Sequence, residues 1–206
     1  AYNKLILTKD NDIYNYVDDM GLLNYLPNVA DIINLFGLRN VYSLPADSEV
    51  RKFLNRRNAY QIPDLNKRVF SNVTDDKIFI MNVDDLSGKL LSYSSRDINK
   101  KSYIIQIYSD ILKFWAPQIP EILQENVDFL DNISSYFNIL NLDFSEPINI
   151  AEGQFDAMFL NNYMALQGVS KIDFVIKHMK LNHINAFMDR DGAGYKTTFR
   201  LLDGYG

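Results

Sequence analysis

The stretch IPEILQENVDFLDNISSYFNIL, Ile119 to Leu140, decides how this chain is read. Ile119, Leu123, Val127, Leu130, Ile133, Phe137 and Leu140 step by four, four, three, three, four and three residues, the return period of one helix face. The spacing predicts an amphipathic helix of about six turns. Glu121, Glu125, Asp128 and Asp131 form its polar face. A long apolar stripe of this kind can pack beside copies of itself, so its seven residues are the candidate subunit interface.

Working outward, Ile13, Tyr16, Val17 and Met20, then Val29, Ile32, Ile33 and Phe36, repeat at helical spacing. They predict two short helices, with Pro27 at the start of the second and Gly37 closing it. Ala46 to Asn58 predicts a third, with Asp47 or Ser48 near its start and Val50, Phe53 and Leu54 on one side. From Gln61 to Ser95 the pattern changes to short apolar runs, Val69-Phe70, Ile78 to Met81 and Leu90 to Tyr93. Asp84 to Gly88 lies between the last two as a hairpin loop. Tyr103 to Trp115 satisfies both periods, and helix is the favoured reading, ended by Pro117.

Beyond Pro147, Glu152 to Gln167 predicts a helix with Phe155, Met158, Phe159, Tyr163 and Leu166 buried and Gly168 breaking it. Ile172, Val175, Ile176 and Met179 predict a further helix. Ile184 to Met188, the turn Asp189 to Gly194, and Tyr195 to Leu202 with Thr197, Thr198 and Phe199 then read as a β-hairpin. The expected class is α+β, predominantly helical, with a small antiparallel middle sheet and a C-terminal β-hairpin. Residues 1–60 form a helical region, 61–100 a strand-rich one, and 101–206 a helical one ending in the hairpin, in one or two compact units.

Composition narrows the function classes. The 206 residues, 47% of them hydrophobic and 13% aromatic, suffice for a core without staples and do not fit a disordered chain. With no cysteine there is no disulfide, thiolate nucleophile or thiolate metal site, and the compartment stays undecided on that ground. Ala1 to Asp10 holds only Leu5-Ile6-Leu7 as an apolar run, so neither a signal core nor a membrane span is expected there. A net charge of −5 gives no whole-molecule attraction to nucleic acid or anionic membrane. Asn, Ile, Lys, Asp and Tyr are plentiful, a bias that AT-rich coding sequence produces, as in many phages and low-GC bacteria.

No catalytic constellation emerges from the motifs. Tyr16-Val17-Asp18-Asp19 spells the aspartate pair of reverse-transcriptase palms, but a palm needs another metal-binding aspartate on an earlier strand. The local helical period points both aspartates outward from a helix surface. Asp75-Asp76 and Asp84-Asp85 flank the strand Ile78 to Met81 and would bind a hard cation if they converged, while turns favour aspartate for local hydrogen bonding. Asp189-Arg190-Asp191-Gly192 resembles the start of a calcium loop, yet Arg200 stands where that loop needs glutamate, and it reads as a turn.

His178 and His183 are five apart, off one helix face, with one expected near a helix C-terminus and the other at a strand start. Gly88-Lys89 has Val83 and Leu90 where a Walker loop needs glycine and Ser or Thr. No cofactor and no metal is expected. One local feature runs against the acidic whole: Arg51, Lys52, Arg56, Arg57, Lys67 and Arg68, interleaved with Phe53, Tyr60 and Phe70. They are the candidate nucleic-acid contact, or else they solvate a helix face or pair with acidic neighbours.

Gly153 to Asn182 places a helix before Leu166-Gln167-Gly168-Val169-Ser170-Lys171-Ile172, then a second amphipathic helix and a closing hairpin. That order resembles the C-terminal part of phage tail baseplate wedge proteins of the tail-protein-I kind. Gly168-Val169-Ser170 stands here in place of that family's Gly-Thr step. The resemblance covers about thirty residues, a short span for a motif match. It implies a non-enzymatic structural subunit in the neck, tail or baseplate of a tailed phage, its partners copies of itself and other virion proteins, with no membrane. The virion, assembled in the host cytoplasm, would be its setting, with the cytoplasm itself as the alternative. The alternatives are a nucleic-acid-binding module that uses residues 51–68, and a carboxylate-dependent metal enzyme.

Overall fold

The computed structural model describes residue 17 and residues 21–100, 102–115, 121–167, 171–179 and 183–205, with the side chains of 122, 123 and 125 left aside. The chain divides into two compact units. One is Leu23–Ile119; the other joins Ala1–Leu22 to Pro120–Gly206. The boundaries differ from 60/61 and 100/101, because the sheet draws strands from both sides of 61–100.

In the unit Leu23–Ile119, α1 (Val29–Leu35) starts after Asn28, whose backbone N–H donates to Asp31 Oδ2 at 3.3 Å. Pro27 lies ahead of the helix rather than at its first position, and its carbonyl accepts from Leu90 N at 2.9 Å. Gly37, at φ +60°, closes α1 as expected, and Leu38 N donates to Ile33 O at 2.9 Å. After β1 (Arg39–Asn40), α2 (Glu49–Arg56) begins where Ser48 Oγ accepts from Arg51 N at 3.0 Å, and it buries Val50, Phe53 and Leu54.

Then come α3 (Leu65–Arg68), β2 (Val69–Ser71), β3 (Lys77–Val83), β4 (Leu90–Asp97), β5 (Tyr103–Gln106) and α4 (Tyr108–Trp115). The ambiguous stretch from Tyr103 thus holds a strand and a helix in turn, and not one helix. The five strands form the expected antiparallel middle sheet in the order β1-β2-β3-β4-β5. Phe70 pairs with Phe79, Ile80 with Ser94 and Ser95 with Ile104, and the β3–β4 register shifts between Asn82 and Val83. That register puts Phe70, Phe79, Met81 and Tyr93 on one face and Val69, Ile78, Ile80 and Ser94 on the other.

The unit containing Pro120–Gly206 begins with α5 (Glu121–Ser134), fourteen residues or about four turns instead of six. Ser134 Oγ donates to Asp131 O at 3.0 Å and Ser135 Oγ to Asn132 O at 2.6 Å, local bonds that compete with helix continuation. Asn138 then takes φ +68°. The apolar period runs on without the helix, since Phe137 and Leu140 are still buried.

A second correction concerns Glu152 to Gln167. It follows β6 (Ile148–Ala151) and holds the single turn α6 (Gln154–Ala157) and β7 (Tyr163–Ala165), and no long helix. The Asn162 side chain ties the chain back: its Oδ1 accepts from Asp143 N at 2.9 Å and its Nδ2 donates to Pro147 O at 3.1 Å. Next are α7 (Ile172–His178), as predicted, and β8 (Ile184–Phe187).

The C-terminal β-hairpin is not formed. β8 pairs parallel with β6, Ile150 opposite Ala186, within a parallel sheet of order β7-β6-β8. Tyr195 to Leu202 lies inside α8 (Gly192–Tyr205). Two causes are visible. Asp191 Oδ1 accepts from Gly194 N at 2.8 Å at the start of α8. Thr197 and Thr198, read as strand formers, send their hydroxyls back to Ala193 O at 2.9 Å and Gly194 O at 3.0 Å, a bond available within a helix.

Candidate interaction surface

The structure gives the predicted charged residues local partners. Arg51 Nη1 donates to Leu44 O at 2.6 Å, and its guanidinium carbon lies 6.0 Å from the Tyr60 ring centre. Lys52 bonds Glu49 at 2.6 Å, and that carboxylate holds the ammonium above its ordinary pKa. Arg57 sits over the Phe53 ring at 5.0 Å, and Lys67 pairs with Asp64 at 3.2 Å. Arg68, its side chain 7% exposed, donates to both oxygens of Asp85. Arg56 is exposed on α2. Six cations that look like one patch in sequence are thus spread over α2, the residue that follows it, and α3, and five of them are held by neighbours in the same unit.

The acidic pairs do not converge. Asp75, at φ +58°, accepts from Ser48 Oγ and Glu49 N, both at 2.7 Å, and so caps α2. Asp76 accepts from Thr74 and Asn72, which pull its pKa below the usual carboxylate range. Asp84, fully buried, accepts from Ser87 N at 2.8 Å and organises the hairpin loop, while Asp85 serves Arg68. Lys89, beside Gly88, donates to Leu26 O at 3.0 Å. Among the described residues no group of three His, Asp or Glu side chains is placed to hold a metal. Asp18 and Asp19 lie outside the described residues.

The histidines stand where the sequence puts them: His178 is the last residue of α7, buried with its ring 4.6 Å from Phe174, and His183 precedes β8. The candidate helical interface is inward-facing in its described part. Leu130, Ile133, Phe137 and Leu140 are buried and Val127 is half-buried, while Ile119 and the Leu123 side chain lie outside the described residues. Phe137 also exchanges backbone hydrogen bonds with Ala165 at 3.0 and 3.1 Å.

The surface that the sequence did not reveal is aromatic. Phe36 at the end of α1 has its ring centre 6.3 Å from Phe79, 5.8 Å from Tyr93 and 6.1 Å from Phe114 of α4. Phe79 and Tyr93 stand 6.0 Å apart on the same sheet face. Such tilted and edge-on contacts are favourable aromatic geometries. Yet the cluster is left open: Phe36 is 36% and Phe114 42% exposed, and their chain neighbours Leu35 and Trp115 are exposed as well. Partial burial raises the Tyr93 phenol pKa. Nothing in linear spacing joins these four rings; strand register and the ends of two helices do.

A different kind of site lies at the carboxyl ends of β6 and β8. Burial, then the charges of Asp189, Asp191 and Asp156, raise the Glu152 pKa, and Glu152 Oε2 is shielded from water with no hydrogen bond from any described residue. Among the described residues, no helix is long and apolar enough to cross a membrane. No protein-family model matches the chain, and no curated protein matches it significantly.

Proposed function

We propose that this chain is a non-enzymatic structural subunit of a particle, of the kind found in the neck, tail or baseplate of tailed phages, and that it joins neighbouring protein subunits through the open aromatic face of the unit Leu23–Ile119. The observation that carries the assembly role is the cluster Phe36, Phe79, Tyr93 and Phe114, four rings packed on one another yet exposed at the rim. Aromatic residues are enriched in the cores of protein interfaces, where they bury large area at small entropic cost. The phage setting rests on the sequence resemblance of Gly153 to Asn182. Its partners would be copies of itself and other particle proteins.

The cations of residues 51–68 support this reading over the nucleic-acid one, because Lys52, Lys67 and Arg68 are already matched to carboxylates. Light scattering and negative-stain imaging of the purified chain at moderate and high salt test the proposal. Assemblies that persist at high salt and shrink in Phe36→Asp with Phe114→Asp are expected, since apolar contacts resist screening. A chain that stays monomeric at every concentration, and gains mass only when DNA or RNA is added, overturns it and returns residues 51–68 to first place.

A further inference from the structure

The helix α8 carries two faces of different character. Gly194, Thr197 and Leu201 are buried on the inner one. There a Cβ on Gly204 would lie 2.6 Å from Ile176, and the Tyr205 hydroxyl shares its one proton between Met179 O at 2.6 Å and Val175 O at 2.8 Å. The outer face presents Tyr195, Phe199 and Leu202, which are 57%, 65% and 61% exposed. Their spacing of four then three residues makes a straight apolar seam, the pattern by which one helix packs along another.

Two charges flank that seam. Lys196 and Asp203, both exposed, each follow a seam residue by one position, and their seven-residue separation puts them on the same flank. Tyr195 and Leu202 lie symmetrically about a point beside Phe199, and within one residue of that point so do Lys196 and Asp203. A two-fold axis there, with the two helices antiparallel, sets Phe199 against Phe199 once, and Tyr195 against Leu202 and Lys196 against Asp203 twice each. Parallel helices would instead match that flank to the other one, which carries Thr198 and no charge. The charged neighbour Arg200 is turned aside to Asp173 on the inner half of the helix.

From this self-complementarity we infer that the outer face of α8 is a homodimer contact, on which α8 of a second copy docks antiparallel with Phe199 at the crossing. The two-fold operator makes one patch serve both copies, the usual form of a symmetric dimer. This inference involves other residues than the aromatic face of the unit Leu23–Ile119 and stands or falls apart from it.

The test is sedimentation equilibrium of the full chain from about 1 to 100 μM at low salt, with circular dichroism to confirm that each variant is folded. The unsubstituted chain should show a dimer. Phe199→Asp should weaken it by at least about a hundredfold, because two rings leave the contact and two charges enter. Lys196→Asp should weaken it by about tenfold, since both flank pairs become repulsive. Lys196→Asp combined with Asp203→Lys should restore it, because the swapped charges again meet their opposites only in the antiparallel pair. A chain monomeric at 100 μM, a dimer indifferent to Phe199→Asp, or a double variant as weak as the single one would each overturn the inference. The Phe36 and Phe114 variants, which leave α8 untouched, should keep this dimer.

Discussion

Arg68 and Asp85, seventeen residues apart, form a two-pronged pair in which Arg68 Nη2 lies 2.9 and 2.8 Å from the two carboxylate oxygens. The guanidinium is buried at the end of α3 and the carboxylate sits in the β3–β4 loop, so the pair ties the hairpin loop to the helix before β2. Asp85→Ala leaves a buried cation without this partner, and should cost about 1–3 kcal/mol of unfolding free energy. Asp85→Asn, which keeps one acceptor, should cost less. Urea denaturation of the two variants checks the order.

Asp75 should behave as a capping residue and not as a metal ligand. It accepts from Ser48 Oγ and Glu49 N, the residues that open α2. Asp75→Ala should therefore destabilise the chain by about 1–2 kcal/mol, in the range of a lost N-cap. Asp75→Gly loses the same bonds and relieves the positive φ, so it should cost less than Ala. Added magnesium should leave the wild-type unfolding midpoint unchanged. A midpoint that rises with magnesium in the wild type and not in the variants would contradict this.

Gly204 separates the helical from the hairpin reading of the C-terminus. In α8 an added Cβ would meet Ile176 side-chain atoms at 2.6, 3.0 and 3.2 Å, so Gly204→Ala forces α7 and α8 apart and should cost about 1–3 kcal/mol. At Gly194 the obstacle is the Asp189 backbone, which cannot swing away, and Gly194→Ala should cost more. Thermal melts of both variants provide the comparison.

Glu152 gives a pH dependence with a definite sign. Its folded-state pKa is raised, chiefly by burial and then by Asp189, so the folded chain binds a proton there more readily than the unfolded chain. Stability linked to this group is greatest when it is protonated in both states and falls as pH rises through the interval from the unfolded to the folded pKa. Glu152→Gln should raise the melting temperature at pH 7. The difference from wild type should shrink as pH is lowered below the ordinary glutamate range. A variant that melts lower at pH 7 would mean that the Asp189 backbone hydrogen bond to the carboxylate outweighs the cost of burying the charge.

Much of the architecture can be read along the chain because its cause is local. Ser48 before Val50, Phe53 and Leu54 announces α2, Gly37 ends α1, the stripe from Ile172 to Met179 marks α7, and Asp84 to Gly88 turns the β3–β4 hairpin. In each case a cap, a turn residue or a helical period acts over three to seven residues, and neighbours in sequence are enough to express it.

What tertiary structure alone decided is where apolar spacing is ambiguous or where partners are distant. Phe137 and Leu140 keep the helical period yet leave the helix, because inward-facing residues of any backbone satisfy that spacing once a core is there to receive them. Tyr195 to Leu202 carries strand formers but is helical, since Asp191 caps it and Gly204 allows close packing on α7. Arg68 reads as part of a basic patch until Asp85 comes to meet it, and the rings of Phe36, Phe79, Tyr93 and Phe114 are unrelated until strand register brings them together. Local propensity sets what each segment is able to be; burial and the partners that arrive from elsewhere in the chain choose among those states.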